Sequence, residues 1–146
     1  MSDYLGLTTE QEIREYMLDS KDNLDCSLFN IQGGFFKQSA NRSYYCVFDA
    51  VCACLVTVGI NDHSNHGFVI GKFRQNFVKT GIFGVDISDN LKNLFEYRTD
   101  SDYSKGFRVS ADEATDLAEK ATAVYEEIRI YINNYFLEEG LKTLNN

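Results

Sequence analysis

The chain has 146 residues, a net charge of -8, four cysteines and no proline. This length suits one domain with a single core and is too short for two, so we predict one domain over residues 1–146. The acidic excess argues against a surface that holds nucleic acid by neutralising many phosphates, and DNA is not expected as a partner, although a small local group of arginines is compatible with this charge.

The start of the chain and its apolar segments bear on where the protein acts. Residues 1–4, Met-Ser-Asp-Tyr, lack the basic flank and the apolar run of a signal peptide. No segment is apolar over the length that is needed to cross a bilayer. We therefore expect a cytoplasmic protein that does not enter a membrane.

The cysteines and histidines do not form a pattern typical of a metal site. Cys46, Cys52 and Cys54 lie in one apolar run, which favours buried, reduced thiols over a disulfide framework. Helix positions two residues apart point to nearly opposite faces, so Cys52 and Cys54 cannot share one ion. His63 and His66 have no cysteines or carboxylates at ligand spacing beside them. We expect neither a metal nor a cofactor.

The spacing of apolar residues predicts five helices and no strand, over approximately 9–31, 35–58, 66–79, 86–102 and 110–137. In the first helix, Thr9 with Glu12 forms a capping box, and Gly33-Gly34 supplies the stop. The second helix is apolar nearly all round from Tyr44 onward, which is typical of the central helix of a bundle. These features predict an all-α fold, an antiparallel helical bundle with up-and-down connections.

Three polar residues within this pattern are candidates for function. Asp49 is the only charge in the apolar part of the second helix, and it is either paired with a buried arginine or tyrosine or part of a site. His66 is favoured as a helix-start residue over a catalyst, because helix starts tolerate polar side chains. Arg98 follows Phe95 by three residues and extends an apolar stripe, so it faces inward or a seam; the alternative is an ion pair with Asp102.

The fifth helix has the clearest pattern in the chain. Ser110 with Glu113 forms a second capping box, and apolar residues then recur at spacings of three and four as far as Tyr135. Residues 141–146 follow this helix without such a pattern. We expect this tail to fray.

Three stretches occur in one order along the chain: Asn41-Arg-Ser-Tyr-Tyr-Cys-Val-Phe-Asp49, Phe77-Val-Lys-Thr-Gly81, and Leu94-Phe-Glu-Tyr-Arg-Thr-Asp-Ser-Asp-Tyr103 continuing into Phe107-Arg-Val-Ser-Ala-Asp-Glu113. Together they resemble the HEPN domain, in particular a small uncharacterised prokaryotic subfamily that reads roughly SRAYYAMFHAA, FVKTG and LREKADY with FEVSEEEA. The resemblance implies a HEPN-like bundle with a four-helix up-and-down core, and a homodimer. It also implies RNA cleavage without metal by an arginine and a histidine four to six residues apart.

The resemblance carries over to particular residues of this chain. Arg98 stands at the motif arginine, which stabilises charge on the phosphate, whereas Tyr103 stands where the family has the proton-moving histidine. Tyrosine, with an ordinary pKa near 10, is a poor base at neutral pH, although it can donate a hydrogen bond or act as a general acid. We assign catalysis to Arg98, Tyr103 and Asp102. Relatives often carry a second histidine, at the position of Asp49.

The first stretch supplies the second part of the predicted site. We assign nucleotide or RNA binding to Arg42, Tyr44 and Tyr45, and we expect this group to lie near Arg98 at or beside a dimer seam. Taken one by one, the tyrosines are more often core or interface residues than site residues, so the assignment depends on the group as a whole.

Three functions remain open from the sequence. The leading hypothesis is a HEPN protein of a toxin–antitoxin or nucleotidyltransferase-linked system, a metal-independent RNA-cleaving toxin with an atypical Arg-x4-Tyr motif. The second is a non-catalytic dimer that holds a nucleotide or a partner enzyme, with Tyr103 modified by a minimal nucleotidyltransferase. The third is a structural adaptor whose apolar second helix mediates dimerisation.

Overall fold

The computed structural model describes residues 7–103 and 106–145, and it describes side chains at 7–97 and 106–145. Five α-helices occur there: α1 (Thr9–Gly33), α2 (Phe36–Thr57), α3 (His66–Phe73), α4 (Val85–Tyr103) and α5 (Ala111–Glu138). A π-helical turn, Arg74–Val78, continues α3. The bounds of α1, α2, α4 and α5 differ from the predicted ranges by at most two residues, and the predicted helix 66–79 is divided into α3, which ends at Phe73, and the π-helical turn, which ends at Val78. The described residues contain no β-strand, and the predicted all-α class is confirmed.

The two predicted capping boxes have different outcomes. At α5 the Ser110 hydroxyl accepts from the backbone N–H of Glu113, whose carboxylate accepts from the Ser110 N–H, as predicted. At α1 the prediction of Thr9 with Glu12 is wrong by one residue, because Thr8 and Gln11 form the box. Both registers fit the required spacing. The observed register exposes Gln11 and buries the side chain of Glu12.

Helix α2 is the centre of the bundle and contacts α1, α3, α4 and α5. It forms an antiparallel hairpin with α1, since residues early in α2 meet residues late in α1: Ser39 is beside Ser27, whereas Cys46 is beside Ser20. Gly34 permits the tight reversal between α1 and α2 because its backbone adopts a φ of 81°. Residues that have a Cβ atom rarely adopt this φ. The sequence prediction of a central second helix is confirmed.

Small polar side chains fill the seam between α1 and α2. The Ser27 hydroxyl lies 2.7 Å from the Ser43 hydroxyl and 3.0 Å from the Ser39 hydroxyl, and all three serines are fully buried. Because these side chains are small and satisfy one another, the two helices pack closely without leaving a buried hydroxyl group unpaired. The nearby Cys46, Cys52 and Cys54 are buried free thiols, as predicted.

The C-terminal tail packs against the bundle over the described residues 141–145. Leu141 and Leu144 cover the core, and the Leu144 backbone N–H donates to the Asn133 side chain at 2.7 Å. The Arg14 guanidinium donates to the carbonyl of Lys142. The prediction that this tail frays is therefore wrong for residues 141–145. Two leucines three residues apart, together with these hydrogen bonds, hold the tail against the bundle without continuing α5.

Across the described part of the chain, no helix combines the length and the apolar character that a membrane crossing needs.

The serine seam predicts a measurable stability effect. Ser27→Ala removes the hydroxyl that joins Ser39 and Ser43, so the free energy of unfolding should fall by about 1–3 kcal/mol. Chemical denaturation measures the change. Thr115→Ala, at an exposed position of α5, is the control and should stay within about 0.5 kcal/mol of the wild type. Equal stability of Ser27→Ala and the wild type would contradict the proposed importance of this hydrogen-bonded trio.

Candidate functional site

Five aromatic side chains from three helices meet around Tyr44, and we call them the Tyr44 cluster: Tyr44, Tyr45 and Phe48 of α2, His66 of α3 and Phe95 of α4. The Tyr44 ring is fully buried. Its centroid lies 5.9 Å from that of Phe48 and 6.0 Å from that of Phe95. The cluster therefore joins α2 to both α3 and α4 at one place.

His66 is held in this cluster by stacking and by a hydrogen bond. Its ring stacks on Phe48 with a centroid distance of 4.0 Å and an interplanar angle of 20°. Its Nδ1 atom lies 2.7 Å from the Tyr44 hydroxyl oxygen. The ring is half-buried, and the edge of the Tyr45 ring approaches it. These contacts orient the imidazole in two independent ways.

The sequence predicted the position of His66 but not its surroundings. His66 begins α3, as predicted, after the N-cap residue Asn65, whose side chain accepts from the Phe68 backbone N–H at 2.9 Å. Its contact with Tyr44 depends on the path of the loop between α2 and α3. No spacing rule relates residue 66 to residue 44, so periodicity alone could not have found this pair.

The predicted catalytic motif follows Phe95, a member of the Tyr44 cluster, in helix α4. Phe95 packs against Tyr44, and Arg98 follows three residues later in the same helix. Helix positions three residues apart share a face, so the backbone of α4 brings position 98 to the side that Phe95 uses. The side chains of Arg98, Asp102 and Tyr103 lie outside the described residues.

Arg42 lies at the edge of the Tyr44 cluster, where its guanidinium group donates hydrogen bonds to uncharged asparagine side chains. Its Nη1 donates to the Asn23 side-chain oxygen at 2.8 Å, and its Nη2 donates to the Asn41 side-chain oxygen at 2.6 Å. The guanidinium carbon sits 5.1 Å from the centre of the Tyr45 ring. Within the described residues no carboxylate lies within 4.0 Å of it. Among the described side chains, an anionic ligand would therefore compete with the amide oxygens of Asn23 and Asn41 for this cation.

Asn23 connects Arg42 to Asp49. The Asn23 side-chain NH₂ group donates to the Asp49 carboxylate at 2.9 Å. Burial raises the pKa of Asp49 to about 7, and repulsion from Asp19 adds to this, while the Asn23 hydrogen bond and the positive charge of Arg42 oppose it. The predicted pairing with a buried arginine or tyrosine is wrong, because the partner is a neutral amide.

A second tyrosine–histidine pair joins α1 to the loop that follows α2. The Tyr16 hydroxyl is 2.7 Å from His63 Nδ1, and His63 Nε2 is 2.7 Å from the carbonyl oxygen of Ile60. A carbonyl only accepts, so Nε2 carries the proton and Nδ1 accepts from Tyr16. Burial lowers the pKa of His63. Both ring nitrogens are thus used to tie the loop after α2 to α1.

The described residues contain no group of three or more His, Cys, Asp or Glu side chains that is arranged to hold a metal ion. The described side chains in and beside the Tyr44 cluster supply the imidazole of His66, the guanidinium of Arg42, the phenol of Tyr45 and the carboxyl group of Asp49.

Comparison with known proteins gives one family. The model of the HEPN domain matches residues 13–131. A protein of Methanocaldococcus jannaschii named "Putative toxin" is 25% identical over 128 residues, covering 88% of this chain and 86% of the relative. A Thermotoga maritima protein named "UPF0332 protein" is 26% identical over 125 residues, covering 86% of this chain and 94% of the relative. The resemblance inferred from the three sequence stretches is confirmed.

The raised pKa of Asp49 predicts how stability depends on pH. Between the ordinary carboxyl pKa of 3.8 and a folded-state pKa of about 7, the folded protein holds a proton that the unfolded chain releases. Stability is therefore lost as pH rises through this window. Asp49→Asn keeps the shape without the charge, so its free energy of unfolding should exceed that of the wild type by about 1–3 kcal/mol at pH 8. The gain should shrink as pH falls toward 4.

Denaturant titrations from pH 4 to pH 8 measure this difference. Asp89→Asn, at an exposed position on α4, is the control and should show no comparable gain at high pH. A loss of stability in Asp49→Asn at pH 8 would mean that the ionised carboxylate is needed by the fold.

Proposed function

This chain belongs to the HEPN domain family, and we propose that it is a toxin-like member that cleaves RNA without a metal ion through Arg98. The observation that carries this proposal is the contact between Phe95 and Tyr44, at a centroid distance of 6.0 Å. It brings the helix of the arginine motif against the helix that carries Arg42 and Tyr45. We infer that Arg98 acts together with Arg42 and Tyr45, because two cations and an aromatic ring suit the recognition of a phosphate and its base.

The proposed reaction needs no group beyond those of RNA and the protein. The ribose 2′-hydroxyl attacks the adjacent phosphorus, a P–O2′ bond forms and the P–O5′ bond breaks. The products are a 2′,3′-cyclic phosphate and a 5′-hydroxyl group, and one proton moves from O2′ to O5′. Negative charge grows on the non-bridging oxygens during the attack. The planar guanidinium of Arg98 stabilises that charge with two parallel hydrogen bonds.

The net charge of -8 is compatible with this activity if RNA is held locally. Arg42 is half-buried, is bonded to the amide oxygens of Asn23 and Asn41, and lies beside the ring of Tyr45. A few such contacts bind single-stranded RNA weakly and with strong salt dependence. Specificity for one RNA would then come from unstacked bases and not from a broad basic surface.

The proposal includes a homodimer in which α4 of each copy faces the other. Two exposed apolar side chains support such an interface: Val85, at the start of α4, is 74% exposed, and Phe68 of α3 is 44% exposed. Joining two copies along this side would bring two motif arginines to one cleft and would remove apolar surface from water.

The catalytic role of Arg98 predicts a large loss of activity. Purified protein should cleave single-stranded RNA in the presence of a chelator, and Arg98→Ala should lower the rate by about 100-fold or more, since one transition-state hydrogen-bond donor contributes this much. Gel analysis of labelled RNA measures the rate. Arg129→Ala, which removes a cation of α5 paired with Glu126 at 3.0 Å, is the control and should retain the wild-type rate.

Two outcomes would reject parts of this proposal. Wild-type activity in Arg98→Ala would remove Arg98 from the site. If the wild-type protein is dimeric and folded but does not cleave RNA, the activity itself is rejected, and a role as an adaptor or a binding protein is favoured.

A second candidate function follows from the tyrosine at the histidine position. Tyr103 ends α4. A minimal nucleotidyltransferase partner would transfer a nucleotidyl group from a nucleoside triphosphate to its hydroxyl oxygen, with release of pyrophosphate and of the phenol proton, which would add bulk and negative charge at the phosphate site. Co-expression with such an enzyme should increase the intact mass by one or more nucleotides, and Tyr103→Phe should lose the increment. Tyr135→Phe, a partly exposed tyrosine of α5, should keep it. An unchanged mass would count against this function.

A further inference from the structure

We propose that the groove between α1 and the first half of α5 is a docking surface for a basic amphipathic helix of a partner protein. The residues that line this groove belong to α1 and α5, whereas the arginine motif belongs to α4. The inference therefore goes beyond the proposed RNA cleavage and does not depend on it.

The shape of the groove suits a helix. Leu28 and Ile31 of α1 line one side, and small residues of α5, including Ala118 and Ala123, line the other, around an open volume of about 630 Å³. Small side chains allow another helix to approach closely, because the distance between packed helices depends on the side chains at the contact. The lining residues of α5 lie within 115–123, which corresponds to about 12 Å along the helix. A partner helix of similar length presents apolar residues at i, i+3, i+4 and i+7 to such a groove.

Large apolar side chains are exposed on the α1 side of the groove. Leu28 is 45% exposed, and its neighbour Phe29 is 73% exposed. Both lie about one helical turn before Gln32, which also lines the groove, so the three residues share one face of α1. A helix placed in the groove would remove this apolar surface from water, which favours association.

Most of the net charge of the chain lies in the segments that form this groove. The stretches that line it, extended by one helical turn at each end, are residues 24–36 and 111–127, and they carry seven carboxylates and one lysine. This excess of negative charge compares with a net charge of -8 for the whole chain. Glu119 lines the groove itself, and no lysine or arginine among the described residues lies within 4.0 Å of its carboxylate. The apolar floor is therefore bordered by acidic groups.

The acidic border selects one class of occupant. The phosphates of a nucleic acid and the surface of an anionic membrane would meet charge of the same sign. A second copy placed groove to groove would also meet like charge, because a twofold interface sets one surface against itself. A helix that carries lysine or arginine beside its apolar residues gains apolar contact with Leu28 and attraction to Glu119 together. The charge and the apolar floor thus both favour a basic amphipathic helix.

The test uses a synthetic peptide of about 18 residues, made of leucine and lysine with the leucines on one helical face. In a fluorescence anisotropy titration it should bind the full chain saturably. Binding should weaken as salt rises from about 0.05 M to about 0.3 M, because salt screens exposed charges. Two control peptides should each bind at least about tenfold more weakly: one with the same composition but with the leucines spread around the helix, and one with glutamate in place of lysine.

Two matched pairs of variants locate the binding site on the protein. Glu119→Lys should weaken peptide binding by about tenfold or more, because like charges then meet in the groove. Glu138→Lys makes the same change at an exposed position later in α5 and should stay within about twofold of the wild type. Leu28→Gln should weaken binding by about three- to tenfold through loss of apolar contact, whereas Leu137→Gln, at a 63% exposed position outside the groove, should not. Circular dichroism and thermal unfolding show whether each variant is folded.

Three results would overturn the inference. The first is equal binding of the ordered and the spread leucine–lysine peptides, since charge alone would then explain it. The second is wild-type affinity in either Glu119→Lys or Leu28→Gln, because the proposal requires both the charge and the apolar contact. The third is absence of saturable binding, and a change in sedimenting mass in these variants would then assign the groove to contact between copies of this chain. A negative RNA-cleavage assay would reject the proposed function and leave this inference standing.

Discussion

The fold around the candidate site depends on one buried phenol. Tyr44 is inaccessible to solvent in the middle of α2, and a buried hydroxyl group without a partner would cost about 1–3 kcal/mol. His66 supplies a partner at 2.7 Å, which requires α3 to begin beside α2. The ring of the same tyrosine packs on Phe95 and so positions α4 as well. The hydroxyl group and the ring of one tyrosine thus connect α2 to α3 and to α4.

The electrostatics of the site depend on one neutral side chain that bonds two ionisable groups. Asn23 accepts from Arg42 and donates to Asp49, so a neutral side chain separates a cation from a carboxyl group. Arg42 consequently keeps its charge, whereas Asp49 is only partly ionised at neutral pH, since burial raises its pKa to about 7. A local positive site can therefore exist in an acidic protein.

Helix periodicity and capping predicted most of the fold, because both depend on residues that are close together in the sequence. The capping box at Ser110 was correct, and the one at Thr9 was displaced because Thr8 and Gln11 satisfy the same rule. The site was less predictable. Arg42 and Tyr45 were identified as a group, and their cation–ring contact is observed.

The contacts that the sequence could not supply join residues far apart in the chain. The bond from Tyr44 to His66 and the bond from Asn23 to Asp49 each depend on how two helices meet. The packing of the tail likewise depends on a core edge that only the folded bundle creates, which Leu141 and Leu144 cover.

Two tyrosine–histidine contacts hold the connection between α2 and α3. Both histidines approach a tyrosine hydroxyl through Nδ1 at 2.7 Å, His63 with Tyr16 of α1 and His66 with Tyr44 of α2. The Nε2 atom of His63 also bonds the Ile60 carbonyl, within the same connection. Each imidazole therefore ties this connection to a tyrosine of a long helix. Sequence spacing does not reveal these contacts, because the paired residues are 47 and 22 positions apart.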